Sequence, residues 1–389
     1  MGDVLVETEK VLHNDAASAG DSTASVPAQV PTATSIDYTK ENYKYAAYLP
    51  YSTPGRQPPL AEFVHVDVGL RADPEKRRLF SVPGTVIQEV TPNVGTEIRG
   101  IQLSQLLPEQ LDDLALLATE RGVVIFKDQD FADIGPERQK KYGEHFGHLH
   151  VHQMGIHIKD YPQILPVYRD AEAGAVDKEI VNNVTSVKWH SDMTYEINGM
   201  GTTTFFPLDT PPSGGDTLYL STTAAYNALS PIFREKLHSL SAVHSGVQQY
   251  NVTDGEKRHI RAPIETVHPV VRTHPVSIPW PVIKKSSTHE SKVTKTKSVF
   301  VNRLYTKKIV GLKEEESFYL LNFLFDHIEK GQDWHLRVHW TPGTVVVYDN
   351  RVTQHSALRD FKVEPARTRR HMVRITPQGE RPVFVENSK

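Results

Sequence analysis

Three short segments carry residues whose type and spacing could do chemistry. In VKWHSDMTYE, His190 and Asp192 stand two apart, so a strand would send both side chains to one face, imidazole beside carboxylate. In VYDNRVTQHSALRDF, His355 follows a strand-like run by a short turn. Two histidines and one carboxylate on one face of an octahedral ion leave three positions open, the arrangement that suits non-haem Fe(II) oxygenases. His-x-Asp alone also arises by chance in a chain with 19 histidines. In RTRRHMVRITP, Arg370 and Arg374 are four apart and would share a strand face. Arginine stays charged and grips carboxylates with a two-pronged donor set, so the pair reads as an inward-facing anion site. A solvated cluster with Arg367 and Arg369 is the rival reading. A fourth segment, GHLHVHQ, alternates His148, His150 and His152, which could form a three-imidazole face for hydrolytic zinc or serve structure alone.

Composition narrows the chemistry. The 389 residues include no cysteine, which excludes disulfides, thiolate–zinc sites, iron–sulfur clusters and a cysteine nucleophile. Any metal must be held by histidine and oxygen ligands. A net charge of −3 points to neither nucleic acid nor an anionic membrane as partner. No apolar run is long enough to span a bilayer, and MGDVLVETEK lacks the features of a signal peptide. The expectation is a cytoplasmic protein acting on small molecules, with a homo-oligomer left open.

The elements that must position these residues read as α+β, mainly β. Residues 1–36 read as a flexible tail, 37–83 as an aromatic, proline-rich extension packed on the core, and 84–389 as one domain. Within that domain VIQEV, EIRGIQL, VVIFKD, WHLRVHW, VVVYD and HMVRITP read as strands. LPEQLDDLALLATERG reads as a helix with Pro108 in its first turn, Leu111, Leu114, Ala115 and Ala118 on one face, and Gly122 as its stop. PERQKKYGEHFG, SPIFREKLHSL (with Ser230 as cap) and EEESFYLLNFLFDHIEKG read as further helices. The lysine-rich run at 284–297 reads as a solvated surface insertion. Short strands with a few helices and no βαβ rhythm favour a jelly-roll-like barrel and disfavour a parallel sheet.

WHSD, PPSGGDTLY, VNRLYTKKIVG, YDNRVTQHSA and RRHMVRITPQGERP, in this order, resemble the taurine/2,4-dichlorophenoxyacetate dioxygenase (TauD/TfdA) family. Its fungal sulfonate dioxygenase branch, with a comparable N-terminal extension, is the most similar. The resemblance runs from about Tyr43 to the C-terminus. It implies a double-stranded β-helix (jelly-roll, cupin-like) core with flanking helices, and an Fe(II)- and 2-oxoglutarate-dependent oxygenase that consumes O2. Carried over by position, it implies that His190, Asp192 and His355 bind iron. Thr217 and Arg370 would hold 2-oxoglutarate. Arg374 would reach the bound pair and, with His152, the acidic head of the substrate.

Three positions depart from the bacterial taurine pattern: Ser186 in place of an asparagine on the substrate side, Gly155 in place of a tyrosine, and Asn198-Gly199-Met200 in place of a proline pair. The resemblance therefore extends to metal and co-substrate, not to taurine. It implies oxidation of a small anionic substrate with release of succinate and CO2. A sulfonate losing sulfite comes first, and hydroxylation, desaturation or cyclisation of an amino or other carboxylic acid is the alternative. A zinc hydrolase on the alternating histidines and a non-catalytic cupin-like binding protein are the remote ones.

Overall fold

Alternation along the central strands sorts their side chains into two apolar layers. Val345 and Val347 join one buried cluster with Val124, Phe126, Phe206, Val373 and Ile375, while Val346 and Tyr348 join another with Val123, Ile125, Phe205 and Met372. A period of two puts these sets on opposite faces of one sheet. A computed structural model describes residues 42–52, 55–169, 187–252, 259–279, 293–361 and 369–386. In it, that sheet has seven strands in the order Val86–Glu89, Thr96–Arg99, Val123–Phe126, Val345–Asp349, Thr202–Asp209, Arg370–Ile375 and Ile164–Arg169.

The two faces meet different partners. On one lie the helices Pro108–Arg121 and Pro136–Glu144, which contribute Leu111, Leu114, Ala118 and Tyr142 to the first cluster. On the other lies a three-stranded sheet of His335–Val338, Thr217–Ser221 and Thr353–Ala357, contributing Tyr219, Leu336 and Val338. The two sheets face one another across this second cluster as a double-stranded β-helix. Arg370, Met372 and Arg374 share one parity on their strand, and Met372 belongs to the inter-sheet cluster. Both arginines are therefore delivered to the barrel interior. The helix Glu314–Lys330 packs Leu321, Leu324, Phe325 and Ile328 into a third cluster beyond the small sheet.

Helix ends fall where the sequence places them. Pro108 opens the first long helix, and Gly122 closes it at φ +71°, where a Cβ would meet Thr353 Cγ2 at 2.8 Å. Ser230 caps Pro231–Leu237 by accepting from the Phe233 amide. No helix among the described residues is long and apolar enough to cross a membrane.

Two expectations need correction. Thr96–Arg99 and Val123–Phe126 pair in parallel across the Pro108–Arg121 helix, so one βαβ unit exists where none was read. The run at 284–297 is not all surface insertion. Val293–Val299 is a strand, antiparallel to Val271–Pro279, because VTKTKSV alternates β-branched residues with lysines. Its Lys297 lies over the Phe384 ring. The rest of that run, the tail at 1–36 and Ser186 fall outside the described residues.

The extension is clamped to the domain. His371 donates from Nε2 to the Tyr48 carbonyl at 3.0 Å and accepts from the Tyr43 hydroxyl at Nδ1, 2.9 Å. Further along, Asn198 donates from Nδ2 to the Phe63 and Gly379 carbonyls and accepts the Phe63 amide at Oδ1. His371 and His268 are buried, and burial pushes both imidazoles down to about 4. The unfolded chain binds more protons than the native one between that value and the ordinary 6.5, so stability falls with pH across this window. We predict a melting temperature level above pH 6.5 that drops steadily toward pH 4, each histidine contributing on the order of 3 kcal/mol. A melting temperature unchanged between pH 7 and pH 5 contradicts this.

Candidate metal centre and co-substrate site

His190 and His355 are brought together by an isolated antiparallel bridge, each amide donating to the other's carbonyl at 3.2 and 2.9 Å. His355 sits in the strand Thr353–Ala357, but His190 and Asp192 do not share a strand as expected. The chain turns straight after the bridge, with Met193 at φ +37°, and the turn swings Asp192 toward both rings. Asp192 Oδ1 lies 3.9 Å from His190 Nε2 and 3.7 Å from His355 Nε2. These three are the one group of potential metal ligands among the described residues with all donor atoms within 4.8 Å.

The protonation states suit a cation. His190 Nδ1 donates to the Lys188 carbonyl at 2.7 Å, which leaves the Nε2 lone pair for a metal. Burial pushes His190 down and His355 to about 3, so both rings are neutral at physiological pH. Burial alone would raise Asp192, but Arg374, His355, His190 and the Tyr348 hydroxyl outweigh it and hold the carboxyl below the usual carboxylate range. Two neutral imidazoles and one ionised carboxylate form the donor set that Fe(II) takes in this geometry.

Groups behind Asp192 aim it. Tyr348 donates to Oδ2 at 2.9 Å, Arg374 pairs with Oδ1, and the Asp192 amide donates to Asn350 Oδ1 at 3.0 Å. Asn350 is itself fixed by donating to Thr203 Oγ1 at 2.8 Å. Aromatic rings close the site: Tyr219 and Tyr348 pack against His355, and Tyr305 against His190.

Arg370 and Thr217 meet at the small sheet. Arg370 Nε donates to the Gly215 carbonyl at 3.0 Å, two residues from Thr217, while Nη2 is buried with no partner. Burial pushes Arg370 down to about 10, so it stays charged. Thr217 Oγ1 accepts from Trp340 Nε1 at 3.0 Å, which leaves its own hydroxyl hydrogen to donate. A buried cation with an orphaned N–H, beside a hydroxyl free to donate, fits a carboxylate.

The chain matches the taurine catabolism dioxygenase TauD, TfdA family over residues 87–376. It belongs to that family. The TauD/TfdA relatives include the α-ketoglutarate-dependent sulfonate dioxygenase of Saccharomyces cerevisiae, 39% identical over 351 residues covering 88% of this chain and 80% of the relative. The α-ketoglutarate-dependent dioxygenase cnsP of Penicillium expansum is 40% identical over 345 residues, 87% of each chain. Among solved structures, a putative α-ketoglutarate-dependent taurine dioxygenase from Burkholderia xenovorans aligns at TM-score 0.61 and 24% identity over 78% of this chain and 96% of its own, a likeness of fold. As a TauD/TfdA protein the chain is an Fe(II)- and 2-oxoglutarate-dependent dioxygenase using O2.

The alternating histidines do not gather. His148 is exposed against the Phe63 ring, while His150 and His152 are buried, so no three-imidazole metal face forms. His152, Arg374 and His150 instead line one small cavity. Gly155 takes φ +63° and closes the turn after His152, donating its amide to the His152 carbonyl, a conformation a tyrosine would strain. Sequence reading missed Tyr348, Asn350 and Trp340, which touch the site residues rather than carry a motif. The inward parity of Tyr348 was the one available signal.

Tyr348→Phe removes the hydroxyl from Asp192 Oδ2 while keeping the ring packed. Loss of such outer partners typically costs 10–100-fold in metal affinity. We expect Co(II) titration of this variant to give a dissociation constant raised by about that factor at unchanged melting temperature. An unchanged constant would mean the hydroxyl does not aim the carboxylate.

Proposed function

We propose that His190, Asp192 and His355 hold Fe(II), that Arg370 and Thr217 hold the distal carboxylate of 2-oxoglutarate, and that Arg374 and His152 receive the head of a small organic anion. The observation that carries this reading is the meeting of three kinds of donor at one end of the barrel. An ionised Asp192 stands between two neutral imidazoles, an orphaned Arg370 N–H lies beside Thr217, and Arg374 lines the adjacent cavity. The metal supplies O2 activation coupled to decarboxylation of 2-oxoglutarate and oxidation of a substrate C–H bond.

The protein's own residues do the positioning. Arg370 and Thr217 fix the far end of the co-substrate, which sets the distance of its keto acid end from the metal ligands. Trp340 keeps the Thr217 hydroxyl turned outward for that contact. Tyr348 and Asn350 keep Asp192 ionised and aimed. The rings of Tyr219, Tyr305 and Tyr195, all buried, exclude water from the reacting centre.

The substrate we favour is a sulfonate hydroxylated on the carbon bearing sulfur, which collapses to an aldehyde and sulfite. The similarity to the yeast sulfonate dioxygenase supports this. A second reading, oxidation of a carboxylic or amino acid, keeps every residue role. It is favoured by two Penicillium expansum dioxygenases of equal identity whose names specify no sulfonate. A small-molecule panel scored by succinate and sulfite separates the two.

Asp192→Ala and His355→Ala should abolish succinate formation while leaving the melting temperature within a few degrees. Wild-type turnover in purified His355→Ala would sink the metal assignment. Arg370→Ala should raise the 2-oxoglutarate KM on the order of 100-fold, since charge-assisted hydrogen bonds contribute about 1.5–3 kcal/mol each. An unchanged KM would place the distal carboxylate elsewhere. Arg374→Leu should weaken substrate binding far more than uncoupled 2-oxoglutarate turnover; equal losses in both would contradict its role at the substrate head.

A further inference from the structure

His150 read as a structural residue in the sequence, yet it lines the same cavity as Arg374 and His152. Behind it lies a buried ion pair drawn from two distant segments. Arg261 and Glu196 are each about 2% exposed, with Arg261 Nη2 3.4 Å from Glu196 Oε1. The guanidinium is pinned by donating from Nη2 to the Val151 carbonyl at 2.7 Å. The same nitrogen lies 3.3 Å from His150 Nε2, with Glu196 Oε1 at 3.5 Å.

This arrangement selects a tautomer. A guanidinium has only donors, so its contact with Nε2 is favourable when Nε2 accepts, which puts the ring proton on Nδ1. Nδ1 has no protein partner among the described residues, and it is the nitrogen left for the cavity that the ring lines. His152 is fixed in the opposite sense. Its Nδ1 accepts the Met154 amide at 3.2 Å, so its proton is on Nε2. Burial pushes both rings down, and the neutral forms hold. Arg374 adds an Nε that is buried without a partner. The rest of the cavity includes the apolar Pro162 and Leu165.

We propose that His150, oriented by the Arg261–Glu196 pair, is a further specificity-determining residue that donates its Nδ1–H to the substrate's anionic head. Three donors on separate elements, His150, His152 and Arg374, form a cup for a head with three oxygens. A sulfonate or sulfate ester fills all three. A carboxylate has two oxygens in one plane and leaves one buried donor unpaired, which is unfavourable. The inference rests on the reading that an anionic head binds at Arg374, and narrows it to a three-oxygen head.

The test measures dissociation constants for an alkanesulfonate, the alkyl sulfate and the alkanoate of matched chain length. Each is titrated anaerobically into the Fe(II)- and 2-oxoglutarate-loaded enzyme by calorimetry. Wild type should bind both three-oxygen heads more tightly than the alkanoate. His150→Phe should raise their constants about 10- to 100-fold and that of the alkanoate less than about threefold, the loss expected for one hydrogen bond to a charged group. His150→Asn, whose amide N–H stands where Nδ1–H did, should recover binding to within about threefold, which a merely structural role would not do. Arg261→Met, which frees Nε2–H for Glu196 and withdraws the proton from Nδ1, should repeat the His150→Phe result with the 2-oxoglutarate KM unchanged. The proposal is overturned if His150→Phe leaves the sulfonate constant unchanged, if it weakens all three ligands equally, or if His150→Asn is no better than Phe. A wild-type enzyme that binds none of the three would instead overturn the anionic-substrate reading itself.

Discussion

Asp192 has a side chain only 1% exposed, and a carboxylate that far from water stays ionised only if its surroundings replace the lost hydration. Its surroundings do so from four directions. Arg374 comes from the last strand of the large sheet, Tyr348 from the central strand, His355 from the small sheet, and His190 from the bridge between them. A one-residue slip in the Arg370–Ile375 strand would turn both arginines out to the helix layer, because strand faces alternate. The register of the sheets and the charge of one carboxylate are therefore the same constraint.

That constraint extends into a buried ionic knot next to Asn350. Arg351 donates to Asp349 Oδ1 and Oδ2 at 2.8 and 2.7 Å, pairs with Asp67 of the extension, and reaches Glu380 Oε2 at 3.2 Å. Arg272 pairs with Glu380, and His274 with Asp349 at 3.0 Å. Removing one partner from such a buried set leaves an uncompensated charge and typically costs about 3–5 kcal/mol. The knot joins the extension, the central strand and the C-terminal segment on either side of the residue that holds the Asp192 amide. The extension is thus part of the scaffold of the site. Asn198, which departs from the pattern of fungal relatives, ties the same extension to the loop after Asp192 through Phe63.

Local periodicity made much of this legible. The Leu111, Leu114 and Ala118 stripe, the Gly122 stop and the shared parity of Arg370 and Arg374 each depend on one segment's own spacing. The His190–Asp192 pair was legible as chemistry but not as geometry, since a bridge and a turn replace the expected strand. Lys295 and Lys297 read as a solvated run because charge hid the alternation in VTKTKSV. Arg261, Glu196 and His150 come from three segments that only the tertiary fold brings together, and no spacing in the chain could announce them. Tyr348 lies between these cases, its direction readable from Val346 and its partner not.

The most direct test of the account is where iron sits. Crystals grown anaerobically with Fe(II) and 2-oxoglutarate, with diffraction recorded at the iron absorption edge, would locate the metal independently of activity. The account predicts one anomalous peak coordinated by His190 Nε2, the Asp192 carboxylate and His355 Nε2, with the distal carboxylate of 2-oxoglutarate on Arg370 and Thr217. Iron held instead by His150 or His152, or a 2-oxoglutarate whose distal end lies away from Arg370, would contradict it.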